Sequence, residues 1–352
     1  MRHTLTLSCA AALLSLPLVS CENASDQDTD SATSAQTVTL YTSVDDSFAR
    51  MVVDAFEDET GIRVDVLGDT EATKTTGLVS RLQAEAANPT ADVWWASEPM
   101  GTILLDESGI LEPGGVEGSV GEDWPQALRS DDWSWVGNAV RARVIGYSTG
   151  RVENPPTTMA QLTEPRYKGR VGIARPQFGT TRIHMSILAD TWGMENFEAW
   201  LEAMVANGVR LYDGNATVVR AIAMGEIDIA LTDTDDIWSG QENGWEVDLV
   251  YETREDHDRW PSAGPALIPN TVAVVRGAPH PGPAARLAAY LASPTVERLL
   301  YESTTNNTPI DPDLRAEYGG DVLDISHLPD YRGAAGMVGE AMDACERVLM
   351  SP

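Results

Sequence analysis

The sequence predicts an α/β protein built as two lobes, with two strands crossing between them and a cleft where the lobes meet. Three observations predict it. From residue 37 onward, short apolar runs alternate with amphipathic stretches of helical period, the order expected of a parallel sheet covered by helices. The alternation restarts after a strand near 141–148 (RARVIGYS), so two similar units stand in series. A second strand of crossing type, 269–275 (PNTVAVV), follows the second unit. On this reading lobe 1 is 37–140 together with about 270–310, lobe 2 is 141–269, and 311–352 is a C-terminal helical segment that packs on the lobes.

Residues 1–36 stand outside that body. Arg2 and His3 form a short basic head, and residues 5–19 are apolar but too short to span a bilayer, so 1–20 reads as a signal peptide. Leu18-Val19-Ser20-Cys21 ends it and resembles the lipobox at which a bacterial signal peptidase leaves Cys21 acylated. The alternative is an ordinary secretory peptide with a chance cysteine. Residues 22–36 (ENASDQDTDSATSAQ) hold no large apolar side chain and cannot offset their chain entropy, which predicts a flexible tether reaching roughly 20 Å. Acyl chains, at about 0.8 kcal/mol per buried methylene, make such an anchor stable. Glu22 after Cys21 resembles the outer-membrane default of Gram-negative lipoproteins.

The elements of the body follow in order. Residues 37–42 (TVTLYT) are a strand, and 48–59 a helix with Met51, Val52, Ala55 and Phe56 on one face, ended by Gly61. A strand at 62–67 leads to a helix that Thr70 caps and that runs to about residue 86. Strand 92–96 and helix 101–108 complete the first unit, and 114–132 is a looser Gly- and Asp-rich passage. The second unit reads as strand 169–174, helices 181–192 and 197–207, strand 209–212, helix 217–224, strand 227–231 and a short strand 249–251. After the crossing strand, 283–302 is one long amphipathic stretch and 334–349 a final helix.

Composition narrows the function. About 315 residues follow the tether, two domains' worth, and 43% hydrophobic content supplies real cores. Against 54 acidic residues stand 24 basic ones, a net charge of −30, which repels nucleic acid and anionic lipid and excludes both as partners. Dense like charge also fits a salty habitat. Of three cysteines, Cys9 leaves with the signal and Cys21 is acylated, so Cys345 has no disulfide partner.

Polar groups gather where strands end, the place where open α/β sheets bind small molecules. Ser43, Asp45 and Asp46 follow the first strand, Thr70 and Glu71 the second, and Glu98 the strand DVWWA. In the second unit Gly179-Thr180-Thr181 opens a helix after Phe178, Asn215 precedes another, and Asp233, Thr234, Asp235 and Asp236 follow a strand. A Gly-Thr-Thr turn at a helix start offers unpaired N–H groups, hydroxyls and the positive end of the dipole, which suits an anion. It equally suits capping of its own helix. The carboxylates suit a hard metal cation or an ammonium group, while TDTDD also reads as a solvated loop and Asp45 and Asp46 as caps. Of Trp94 and Trp95, alternating on one strand, one is expected in the core and the other toward the cleft. His184 and His257 stand isolated.

Five segments then carry a resemblance: VTLYTSVDDSFARMVVDAFEDETGIRVDV, ADVWWASEPMGTILLDESGILEP, WVGNAVRARVIGYSTG, NATVVRAIAMGEIDIAL and IPNTVAVVRGAPHP. In this order, from Val38 to Ile310, they resemble the ferric-iron-type solute-binding proteins of ABC importers, within the type II periplasmic binding proteins. The resemblance implies a ligand held between lobes that close by hinge bending, then delivery to a membrane permease driven by an ATPase. It implies a metal ligand at Glu98 and an anion held by Gly179, Thr180 and Thr181 with Asn215. The chain departs from the family's pattern in two places. Val44, Asp45 and Asp46 stand where a His or Tyr is common, and Asp235 and Asp236 where adjacent tyrosines are usual. Carboxylates in place of phenolates suit several hard cations and ammonium groups as well. A further departure is 69–78 (DTEATKTTGL), with Thr70, Glu71 and Lys74 near the cleft rim.

The resulting expectation is a monomeric, lipid-anchored receptor that hands a ferric-iron-like or other hard cation, with an anion, to an ABC permease. Asp46, Glu98, Asp235 and Asp236 are the expected metal ligands, and Ser43, Asp45, Thr70, Glu71, Gly179, Thr180, Thr181, Asn215 and Asp233 the other ligand contacts. The competing ligand is a small organic anion or zwitterion such as an aminoalkylphosphonate. A ligand-sensing receptor is a further alternative on the same fold. No Gly-x-Ser-x-Gly elbow or His-Glu-x-x-His motif occurs, so catalysis is not expected.

Overall fold

The computed structural model of the chain describes residues 36–69 and 75–350. The expectations for the signal segment, Cys21 and the tether up to residue 35, and those for Thr70, Glu71 and Lys74, lie outside the described residues. Strand β1 (Thr37–Thr42) pairs in parallel with β2 (Arg63–Gly68) on one side and β3 (Val93–Ala96) on the other. Helix α1 (Asp46–Thr60) connects β1 to β2 and ends on Gly61, whose φ of 69° is the left-handed conformation glycine adopts without strain. Helices α2 (Thr76–Glu85) and α3 (Pro99–Glu107) follow β2 and β3. The described part of α2 thus begins at Thr76, six residues after the expected cap.

Strand β4 (Trp135–Ser148) is longer than its predicted 141–148, and its length makes it the crossing element. Its first half pairs antiparallel with β9 (Leu267–Val274), which itself pairs with β3. Its second half pairs antiparallel with β7 (Ile229–Asp233) and β8 (Val247–Val250). Within the half paired with β9 the register slips at Asn138/Val140, and Ala139 takes a φ of 45°, so a bulge bends the strand three residues before its pairing with β7 begins at Arg143.

The second unit carries β5 (Val171–Ala174), parallel to both β6 (Arg210–Tyr212) and β7. Its helices are α4 (Gly179–Trp192), α5 (Met194–Ala206), α6 (Asn215–Ala223) and α7 (Thr234–Glu242). Strand order is β2-β1-β3-β9-β4-β7-β5-β6, with β8 on the flank of β4. The predicted stretch 283–302 is two helices, α8 (Pro281–Leu291) and α9 (Pro294–Glu302), because Pro294 cannot continue α8 and instead starts α9. Helix α10 (Pro312–Tyr318) was not expected, and α11 (Tyr331–Leu349) closes the chain against α4, α5 and α3.

Apolar clusters cover both faces of each unit. Val38, Leu40, Phe56, Trp95 and Leu287 form one under α1 and α8, while Tyr41, Leu82, Trp94 and Ile103 form another under α2 and α3. Both Trp94 and Trp95 are therefore core residues, and neither lines the cleft, because β3 lies mid-sheet with helices on both sides. In the second unit Ile173, Met185, Trp200 and Cys345 pack together beneath α4, α5 and α11. Burial pushes the Cys345 thiol up to about 12, which keeps it protonated and unreactive.

Candidate functional site

The carboxyl ends of β1, β5, β6 and β7 open onto one cleft of about 130 Å³, floored by the crossing strands β4 and β9. From the first unit it receives Val44, Asp45, Phe48 and Ser97, and from the second Gly179, Thr180, Thr181, Asn215, Asp233, Asp235 and Asp236. Arg141 of β4 and Asn270 of β9 line its base. Most of the polar groups singled out at strand ends thus converge, as the topology requires of residues that follow parallel strands.

Gly179 opens α4 with a φ of 58°, which turns the chain so that Thr180 and Thr181 follow at the helix N-terminus. Their hydroxyls are tied to other groups of the cleft. Thr180 Oγ1 donates to Asp233 Oδ2 at 2.5 Å, and Thr181 Oγ1 donates to Asn215 Oδ1 at 3.2 Å. Asn215 Nδ2 in turn donates to Thr180 Oγ1 at 2.8 Å and to Asp233 Oδ2 at 3.0 Å.

Asp233 is the hub of this network, and its partners are two arginines that sequence reasoning did not single out. Arg143 Nη1 donates to Asp233 Oδ1 at 2.8 Å, and to Thr180 Oγ1 and Asn215 Oδ1 at 3.2 and 3.3 Å. Arg141 Nε donates to Asp233 Oδ2 at 3.5 Å, and its Nη1 to Asn270 Oδ1 at 3.3 Å. Burial by itself raises the Asp233 pKa, but the charges of Arg143 and Arg141 and the Thr180 hydroxyl outweigh it and hold the carboxyl below its usual range. Both arginines lie on β4 at positions i and i+2, one strand face, and that spacing in RARVIGYS is the signal that would have found them. His184, isolated in the sequence, is part of the network in the structure. Its Nδ1 accepts from Arg143 Nε at 3.4 Å, and burial together with the Arg143 charge pushes its pKa down to about 3.

Asp235 and Asp236 occupy the first turn of α7, so TDTDD is a helix start and not a solvated loop. One ligand oxygen from each of Asp233, Asp235 and Asp236 lies within 4.8 Å of the others, a spacing at which carboxylates share a cation. Asp236 Oδ2 also accepts from Thr232 Oγ1 at 3.1 Å. Burial lowers the Arg141 pKa, yet the surrounding charges of Asp233, Asp235, Asp45 and Asp236 raise it overall, so Arg141 sits at the focus of the cleft's acids.

Several expected ligands are placed elsewhere. Glu98 does not line the cleft: it is 2% exposed and caps α3, accepting from Gly101 N at 3.1 Å and Met100 N at 2.5 Å. Its carboxylate is consumed by orphan helix N–H groups, and a Cβ on Gly101 would meet Glu98 Oε1 at 3.0 Å. Asp46 stands on the outer face of α1, its side chain 83% exposed and 3.5 Å from Arg50 Nε, a partner one turn on. Ser43 is buried behind the cleft, where its Oγ accepts from Ser97 N at 3.0 Å and Thr75 Oγ1 at 3.2 Å. Asp45 reaches the cleft as expected, and its backbone carbonyl also accepts from Phe48 N and Ala49 N at the start of α1.

A two-lobed α/β frame with a polar cleft at the strand ends defines a small-solute receptor, and the sequence comparison agrees. The profile of the bacterial extracellular solute-binding protein family matches residues 51–322, and the chain belongs to that family. It is similar to iron uptake protein A2 of Synechocystis sp., 29% identical over 276 residues, which cover 72% of this chain and 77% of that protein. It is 32% identical over 204 residues to iron uptake protein A1 of the same organism, but that match covers 56% of this chain and spans only 54% of its relative. Among solved structures, iron-bound HitA from Pseudomonas aeruginosa superposes with a TM-score of 0.72 at 24% identity, over 89% of this chain and 99% of that one. That likeness carries the fold.

Proposed function

We propose that the chain is the substrate-binding component of an ABC importer, taking up ferric iron or a similarly hard cation together with an anion. The observation that carries this reading is the juxtaposition at one cleft of the Asp233, Asp235 and Asp236 oxygens with the α4 N-terminus, Asn215 and Arg141. Asp235 and Asp236 are the cation ligands, and Asp45 approaches from the first lobe. Asp233, already shared by two arginines, holds the network together rather than giving its charge to the cation. The Gly179 turn and the Arg141 guanidinium take the anion, whose charge offsets that of the metal. The relatives' names, iron uptake protein and ferric iron-binding protein, support iron as the cargo.

Lobe 1, residues 37–140 with about 270–310, closes on lobe 2, residues 141–269, by bending at the β4 bulge. An anchor at Cys21 on its tether keeps the receptor near its permease and raises the local concentration for delivery. The protein acts as a monomeric receptor and not as a catalyst. Titration calorimetry against ferric citrate tests the reading: wild type binds one equivalent, and Asp235→Ala/Asp236→Ala weakens binding at least tenfold with its melting temperature retained. Unchanged affinity in that variant removes the proposed ligands.

The buried arginine pair favours a second reading, a small organic anion such as an aminoalkylphosphonate. A structural neighbour, the periplasmic binding protein AfuA from Actinobacillus pleuropneumoniae with fructose-6-phosphate bound, shares the fold at a TM-score of 0.74 and 17% identity. Saturable binding of 2-aminoethylphosphonate by metal-free protein, with no response to ferric citrate, selects this reading.

A further inference from the structure

A second cavity, of about 360 Å³, is lined in part by His184, whose ring also belongs to the cleft network. Its walls are apolar, from Ile187, Leu188 and Trp192 of α4 to Pro261, Pro265 and Leu328 on the facing loops. Its charged groups are the carboxylates of Asp190, Glu252 and Asp330, and beside them stand the imidazoles of His184 and His327 and the hydroxyls of Thr191, Ser262 and Ser326. Glu252 is 7% exposed, and its Oε1 accepts from Met159 N at 3.3 Å. At the mouth, Asp190 and Asp330 converge on Gly333: a Cβ built there would lie 2.9 Å from Asp330 Oδ2 and 3.1 Å from both Asp190 oxygens. Burial first, and then the repulsion of the Asp330 charge, raise the Asp190 pKa. Basic character on the rim comes from Arg254, whose Nη1 lies 3.1 Å from His327 Nε2.

His184 supplies an independent indication of a ligand. It is 1% exposed, and its Nδ1 accepts from Arg143 Nε, so the neutral ring carries its proton on Nε2. That Nε2 is buried without a partner among the described residues, on a side chain that lines the cavity. A buried donor left unpaired costs about 1–3 kcal/mol, and a ligand or water that accepts from it removes the cost.

We propose that this cavity is a second binding site, for a small organic ammonium compound that also carries a hydrogen-bond acceptor. The ammonium sits among Asp190, Asp330 and Glu252, the aliphatic part lies against α4 and the proline-rich loop, and the acceptor takes the Nε2–H of His184. Because the same imidazole holds Arg143, which holds Asp233, an occupant of the cavity touches the cleft network through one side chain.

The site does not depend on what the cleft carries, so its test is separate from that of the cargo. Calorimetry on the metal-free full chain compares 3-aminopropan-1-ol with n-propylamine, which lacks the acceptor, and with propionate, which carries the opposite charge. The expected result is saturable one-to-one binding of the amino alcohol, about three- to tenfold tighter than the amine, the range one hydrogen bond supplies, and no binding of propionate. Asp190→Asn and Glu252→Gln are expected to weaken it at least tenfold each, whereas Asp235→Ala/Asp236→Ala leaves it unchanged. Asp190 is exposed at the mouth, so its variant retains the fold even where the Glu252 change does not. Absence of saturable amine binding at millimolar concentration overturns the proposal, as does binding that survives Asp190→Asn or follows the cleft acids.

Discussion

Asp233 and Glu98 are both buried carboxylates following strands, yet their surroundings give them opposite characters. Asp233 shares two guanidinium charges and stays ionised below its usual pKa, whereas Glu98 has two backbone N–H donors against a large desolvation cost, and its pKa is raised. The consequences are separable by mutation. Asp233→Ala leaves Arg143 buried without its counter-charge and Arg141 with Asp235 alone at 3.9 Å, and is expected to cost about 3–5 kcal/mol, read as a lower denaturant midpoint. Glu98→Ala removes a helix cap and is expected to cost about 1 kcal/mol with ferric citrate affinity unchanged in calorimetry. A hundredfold loss of affinity in Glu98→Ala would return that residue to the metal site.

Among the elements, α4 matters most, since its first turn faces the cleft and its last turns wall the second cavity. The glycine at its start is the one position in the turn whose left-handed backbone disfavours a side chain. Gly179→Ala forces a Cβ into the left-handed region, at about 1–2 kcal/mol, and is expected to lower stability and weaken ferric citrate binding together. A variant with normal ferric citrate affinity would show that the turn serves only its own helix. The start of α7 is ambiguous in its composition: TDTDD reads as a solvated loop as well as a cation site, yet acids in a first turn are also a helix-start signal. The split between α8 and α9 was similarly marked by Ser293-Pro294, but continuous amphipathicity on both sides masked it.

At the scale of the molecule, the bulge in β4 is held by a buried acid from another part of the chain. Glu297 of α9 accepts from Ala139 N at 3.0 Å, Ile310 N at 3.1 Å and Asp311 N at 2.8 Å, tying the bend to the segment that follows α9. Burial pushes both Glu297 and Glu252 up to about 7. Unfolded, each titrates near about 4.3, so between those values the folded chain holds protons that the unfolded chain has released. Their contribution to stability is therefore fully present below the lower value and is lost as pH rises through 7. Asp233, whose pKa is lowered, acts only at lower pH, outside this window. His184, held at about 3 when folded against about 6.5 unfolded, opposes one of the two glutamates below about pH 6.5 and leaves a net fall. Melting temperature is expected to fall between pH 5 and pH 7.5, and Glu297→Gln to flatten that slope. A wild-type profile flat across the window contradicts the assignment.

The sequence by itself determined the alternation of strands and helices, the two crossing strands, the family, and the set of strand ends at which polar groups collect. These follow from hydrophobic periodicity and from residues adjacent in the chain, and adjacency is what a sequence records. Only the tertiary structure decided how those groups are used. Arg141 and Arg143 lie some 90 positions from the Asp233 they pair with, and His184 joins them from a third element. Asp46 and Glu98 look like ligands in the chain, but one faces solvent beside Arg50 and the other is buried as a cap. A carboxylate's role depends on the charges and donors that surround it after folding, and those come from distant segments brought together by β4 and β9.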